Sequence, residues 1–208
     1  HTGPVPTSLL LPDVADAVDI PVLAAGGYRC GKGLVAAMGF GAEGIAMGTR
    51  FLLSQESPVP QVVKAQYLNA TVTDTTVSTR IDGHPQRVIQ TPFVRRLERR
   101  NRLGRLWLAL RSGLAFKRAT GIGFFGLLSA GLAMRKNQGM SLAQALSAAN
   151  APMLTEQTMV EGQIDAGILP TGQVTGLIDE LPQAHVIIER VMTEAHATLN
   201  HLAGVRND

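Results

Sequence analysis

The sequence predicts an α/β fold: the C-terminal part of a (β/α)8 TIM barrel, interrupted by an inserted, mainly helical substrate domain. Three observations predict it. Two glycine turns sit a helix apart: Gly26-Gly27 ends the apolar run Ile20-Pro21-Val22-Leu23-Ala24-Ala25, and Gly48-Thr49 ends Gly44-Ile45-Ala46-Met47. Between them, residues 32–40 are rich in Ala, Gly and Leu and read as a helix packed closely on a sheet. After residue 70 the strand–helix alternation gives way to β-branched, then basic, then glycine-rich segments. A strand–Gly–helix–strand–Gly pattern presents two sets of backbone N–H groups at one sheet edge, which suits a phosphate. In an eight-stranded barrel the loops after strands seven and eight are the usual phosphate site.

Taken in order, residues 9–18 read as a helix with apolar residues at helical spacing. Residues 20–25 form an apolar, non-alternating strand of the kind covered on both faces. Residues 44–47 form the next strand, and residues 62–69 another helix after Pro58 and Pro60. Residues 71–78 alternate and are β-branched, as in a strand. Asp82-Gly83 signals a turn, and Arg87-Val88-Ile89 suits an antiparallel return. A helix is expected over 97–118, a glycine-rich apolar lining over 119–133, and a helix over 141–149 with Ser141 at its N-cap. A closing helix is expected over 182–202. The expected organisation is 1–70 as the phosphate-binding part of the barrel, 71–155 as the covering insertion and 156–208 as the return to the barrel. The chain opens His1-Thr2-Gly3-Pro4 as a loop in progress, and two parallel strands cannot cover themselves. The remaining N-terminal portion of the barrel is therefore expected to be required.

Composition narrows the function classes. Of 208 residues, 45% are hydrophobic and 17% charged, as in globular proteins that bury a core. At 4% aromatic residues, stacked-base recognition of nucleic acid is poorly supported, and no nucleic-acid partner is expected. A single cysteine, Cys30, excludes an intrachain disulfide and multi-cysteine metal sites, and no metal is expected. No leader or apolar run of about 20 residues is present, so the expectation is a cytoplasmic protein without a membrane partner. Homo-oligomerisation is left open.

Several strings carry a resemblance: His1-Thr2-Gly3, Ile20 through Gly27 (IPVLAAGG), Gly41 through Phe51 (GAEGIAMGTRF) and Gly172-Gln173. They resemble the nitronate monooxygenase family, also called 2-nitropropane dioxygenases, and its flavin-dependent enoyl-reductase relatives. The resemblance implies an FMN-binding barrel. Ala25, Gly26 and Gly27, with Gly48 and Thr49, would hold the FMN phosphate through backbone N–H groups and the Thr49 hydroxyl, and Gln173 would lie near the cofactor. His1 aligns with the histidine of the family's Gly-Gly-His-x-Gly motif, which faces the flavin; the two preceding glycines are absent here. Tyr28 stands where the family carries Ile, placing a phenol near the phosphate or serving local packing.

The expected activity is an FMN-dependent oxidoreductase of the nitronate monooxygenase type, with His1 as base and O2 as reoxidant. The alternative is a reductase or desaturase acting on an acyl-CoA or enoyl thioester; a non-catalytic barrel-derived binding module is the rival from another class. Imidazole suits proton transfer near neutral pH. Arg50 is expected to form a barrel salt bridge rather than bind phosphate. The basic stretch bears on the substrate. Residues 80–118 hold eleven Lys and Arg against Asp82 and Glu98, while the remainder holds eight basic and fourteen acidic residues. A +9 segment is thus set on a −6 body. Either it is a solvated or contact face, or Arg99, Arg100, Arg102, Lys117 and Arg118, with Arg95 and Arg96, meet a polyanion such as the phosphates of CoA.

Overall fold

The computed structural model describes residues 2–99 and 142–205. The chain divides into two compact units. One gathers residues 3–58, 64–72 and the chain from 172 onward; the other gathers 1–2, 59–63 and 73–171.

In the first unit, α1 (Thr7–Ala17) leads to β1 (Leu23–Ala25), α2 (Gly31–Gly39), β2 (Gly44–Ala46) and α3 (Gly48–Leu52). β1 and β2 pair in parallel, with Leu23 opposite Gly44 and Ala25 opposite Ala46. The strand expected over 20–25 is shorter because Pro21 cannot donate to a ladder, and Ile20 is left 71% exposed. Leu11, Ala24, Ala37 and Ala42 form the buried cluster, with Val22, Tyr28, Phe40 and Ile45 against it. Such small side chains let α2 lie close to the strands. α2 ends where Gly41 takes φ +89°, and a Cβ there would fall 2.8 Å from that of Ala15. α4 (Gln61–Asn69) follows, and the closing helix α7 (Ala184–Val205) buries Ile187, Val191 and Ala195.

In the second unit, residues expected as one strand divide into a 3₁₀ turn (Val72–Asp74) and β3 (Thr75–Ser78). β3 pairs antiparallel with β4 (Gln86–Ile89), as the turn signal predicts. The segment at Pro170 extends this ladder: Ile89 N donates to Leu169 O at 3.0 Å, and Thr171 N to Arg87 O at 3.0 Å. α5 (Pro92–Arg99) starts five residues before the expected 97, because Thr91 caps it and Pro92 opens it. The Val94 N–H donates to Thr91 Oγ1 at 3.3 Å. The rest of the helix expected over 97–118, the glycine-rich lining over 119–133 and Ser141 lie outside the described residues. α6 (Leu142–Met159) is longer than expected and ends where Gly162 takes φ +73°. Ile81, Val88, Val94, Leu97 and Ile168 form this unit's core.

Candidate functional site

The parallel register brings both strands of the first unit to an end at the same level. Gly26 and Gly27 follow Ala25 with φ of +93° and +86°. Two consecutive left-handed residues are cheap only for glycine. Among the described residues nothing lies within 4 Å of where a Cβ on Gly26 or on Gly48 would sit, so the space at those two positions is open. That opening fits an anion approaching the backbone N–H groups of the turns.

Thr49 lies in the first turn of α3 and is 8% exposed. Its Oγ1 accepts a hydrogen bond from Gly172 N at 2.9 Å. A hydroxyl that accepts keeps its own proton to give, and none of the described residues takes it. Gln173 follows, its Oε1 3.8 Å from where a Cβ on Gly27 would stand. Gly26, Gly27, Thr49 and Gln173 are therefore gathered in one unit, although most of the chain separates the last from the rest.

The other available helix end is closed. Gly31 N, at the start of α2, donates to Glu194 Oε2 of α7 at 2.7 Å. A carboxylate already occupies the positive end of that helix. The approach of the two helices is close: a Cβ on Gly31 would stand 2.3 Å from Val191 O and Ala195 N. Tyr28 resolves to packing. Its ring lies against the apolar cluster and would meet a Cβ on Gly33 at 3.1 Å, and desolvation raises its pKa. Arg50 differs from expectation. Its guanidinium donates through Nη2 to the carbonyls of Leu53 and Glu180, each at 3.1 Å, and makes no ion pair among the described residues. Burial lowers its pKa, and the negative field of Glu180 opposes that shift. Lys64, 1% exposed, likewise donates to Ser54 O at 2.7 Å.

His1, Arg100, Arg102, Lys117 and Arg118 lie outside the described residues. Thr2 N, beside His1, donates to Pro85 O at 2.8 Å. The described part of the basic stretch divides by partner. Arg80 pairs with Glu98 at 3.0 Å, and Ser78 Oγ donates to the same carboxylate at 2.5 Å. Arg87 donates to Thr75 Oγ1 and Arg96 to Asp165 O. Arg95 and Arg99 remain, both exposed and one helical turn apart on α5, without side-chain partners among the described residues. Among the described residues no group of His, Cys, Asp and Glu is placed to hold a metal ion, and no helix is long and apolar enough to cross a membrane.

A parallel strand–helix–strand unit with glycine turns at both strand ends defines an α/β protein. The chain belongs to the nitronate monooxygenase family, whose description matches residues 1–194. It is 48% identical over 206 residues to a (3aS,4S,5R,7aS)-5-hydroxy-7a-methyl-1-oxo-octahydro-1H-indene-4-carboxyl-CoA dehydrogenase of Rhodococcus jostii, covering 99% of this chain and 58% of that protein. A probable nitronate monooxygenase of Staphylococcus saprophyticus is 45% identical over 91 residues, 44% of this chain and 26% of that protein. Among solved structures, FabK from Thermotoga maritima matches with a TM-score of 0.68 and 33% identity, covering 99% of this chain and 53% of that one. The chain thus spans little more than half the length of these full-cover relatives.

Proposed function

We propose that this chain carries the flavin-phosphate site of an FMN-dependent oxidoreductase, built on the C-terminal part of a (β/α)8 barrel, that acts on an acyl-CoA thioester. The observation that carries the cofactor reading is the open pair of strand-end turns, with the Thr49 proton available between Gly48 and Gly172. Backbone donors from Gly26, Gly27, Gly48 and Thr49 would hold the phosphate, with Ala25 and Gln173 beside them. When bound, a flavin supplies the electron or hydride acceptor. His1 would take the proton from the substrate carbon, a role worth about 10²–10⁴-fold in rate.

The substrate reading is supported by Arg95 and Arg99, exposed on α5 without side-chain partners among the described residues, and by a CoA dehydrogenase aligned over 99% of the chain. Arg100, Arg102, Lys117 and Arg118, outside the described residues, would add positive charge for the phosphates of CoA. A second reading, nitronate oxidation with O2 as reoxidant, is favoured by the family description across residues 1–194. Steady-state turnover of an acyl-CoA against a nitronate by the full-length protein tests the choice. Turnover of nitronate alone would reject the thioester reading.

A further inference from the structure

We infer that Thr49 is a positioning residue that couples occupancy of the phosphate cradle to the placement of Gly172 and Gln173, an inference that rests on the flavin-phosphate reading above. The first observation is the buried bond from Gly172 N to Thr49 Oγ1, 2.9 Å long and spanning 123 positions of sequence. It ties the first turn of α3 to the segment that precedes α7. The second is the tightness of that approach: a Cβ on Gly172 would stand 3.1 Å from Thr49 Oγ1, so any larger residue there would push the hydroxyl away by a few tenths of an ångström. The third is that Gln173 lies next along the chain, its amide oxygen 3.8 Å from the Cβ position of Gly27. Fixing Gly172 therefore fixes which residue overhangs the Gly26–Gly27 turn.

A hydroxyl has one proton and two lone pairs. Here the acceptor side is engaged, and none of the described residues takes the proton. Donating that proton to a phosphate oxygen increases the electron density on Oγ1 and strengthens its bond to the Gly172 N–H, as chains of hydrogen bonds polarise one another. Threonine serves both ends at once, which a backbone amide, having no acceptor on its nitrogen, cannot do. Phosphate docking and the ordering of Gly172 and Gln173 then become one event. Binding of the cofactor's phosphate end would set the residue beside the turn before substrate arrives.

Amide hydrogen exchange in the intact protein separates this from a merely structural threonine. FMN is compared with riboflavin, which lacks the phosphate, each at saturation. FMN is expected to slow exchange of the backbone amides over 172–175 about threefold or more relative to riboflavin, in the wild type and in Thr49→Ser. Thr49→Val saturated with FMN should show no such slowing. Equal slowing by riboflavin, or its persistence in Thr49→Val, overturns the coupling while leaving the phosphate site intact. Equal affinity of the wild type for FMN and riboflavin rejects the phosphate site itself, and the coupling with it. The FMN–riboflavin comparison in the wild type decides the matter even if the valine variant fails to fold.

Discussion

Thr49 and Gly27 bear most of the account at the level of single residues, and each yields a measurable consequence. At the proposed phosphate site, Thr49→Val would remove one charge-assisted hydrogen bond and should weaken FMN by about 1–2 kcal/mol in a fluorescence titration. Gly27→Val places a β-branched side chain at φ +86° beside Gln173, and should weaken FMN as well as stability. Unchanged flavin affinity in both variants would rule these turns out as the phosphate site. The glycines were legible in the sequence because a left-handed turn at a strand end demands a residue without Cβ, and that demand leaves a local mark. Nothing local announces that Glu194 closes α2, or that Arg50 and Lys64 spend their charges on carbonyls. Those partners are set by long-range packing. Arg50 beside Thr49 reads in sequence as a candidate for an ion pair, yet carbonyls of Leu53 and Glu180 meet it.

Between elements, stability concentrates where backbones approach without side chains. Gly31→Ala would thrust a methyl group to 2.3 Å from the backbone of α7 and should cost about 1–3 kcal/mol in denaturant unfolding. A cost near zero would mean that α2 and α7 pack less closely than described. The start of α7 carries a pH-dependent cap. Glu56 accepts from Ala184 N through both carboxylate oxygens, at 3.0 and 2.9 Å, and this bond holds its pKa below the ordinary carboxylate value. A depressed carboxylate pKa contributes stability that is present above the unfolded value, about 4.3, and is lost as pH falls through the lower folded value. Glu56→Gln should therefore flatten the acid limb of a melting-temperature profile, while the neutral limb keeps its shape. Element types were largely readable from periodicity. α5 begins five residues ahead of the expectation because its start is set by the Thr91-Pro92 cap-and-first-turn pair rather than by apolar spacing, which is weak among the arginines that follow.

For the whole molecule, substrate choice is the larger question, and the cationic segment is where the two readings part. A nitronate carries a single charge and needs no array of arginines, whereas CoA brings several phosphate charges. Neutralising Arg95 and Arg99 to glutamine should raise the KM for an acyl-CoA roughly threefold to tenfold at low salt and flatten its salt dependence, with flavin content constant. Leu23 in β1 and Ile20 just before it are 65% and 71% accessible, and the two-stranded parallel sheet has no further strand on it among the described residues, which supports the proposal that further barrel strands pack there. The most direct measurement is anaerobic electron exchange in the full-length protein reconstituted with FMN, followed by the flavin's visible absorbance. The account predicts that an acyl-CoA bleaches the oxidised flavin, or an enoyl-CoA restores the reduced flavin, in the wild type, and that this requires higher thioester concentration in Arg95→Gln/Arg99→Gln. Flavin that responds to a nitronate and stays unchanged with either thioester would contradict it.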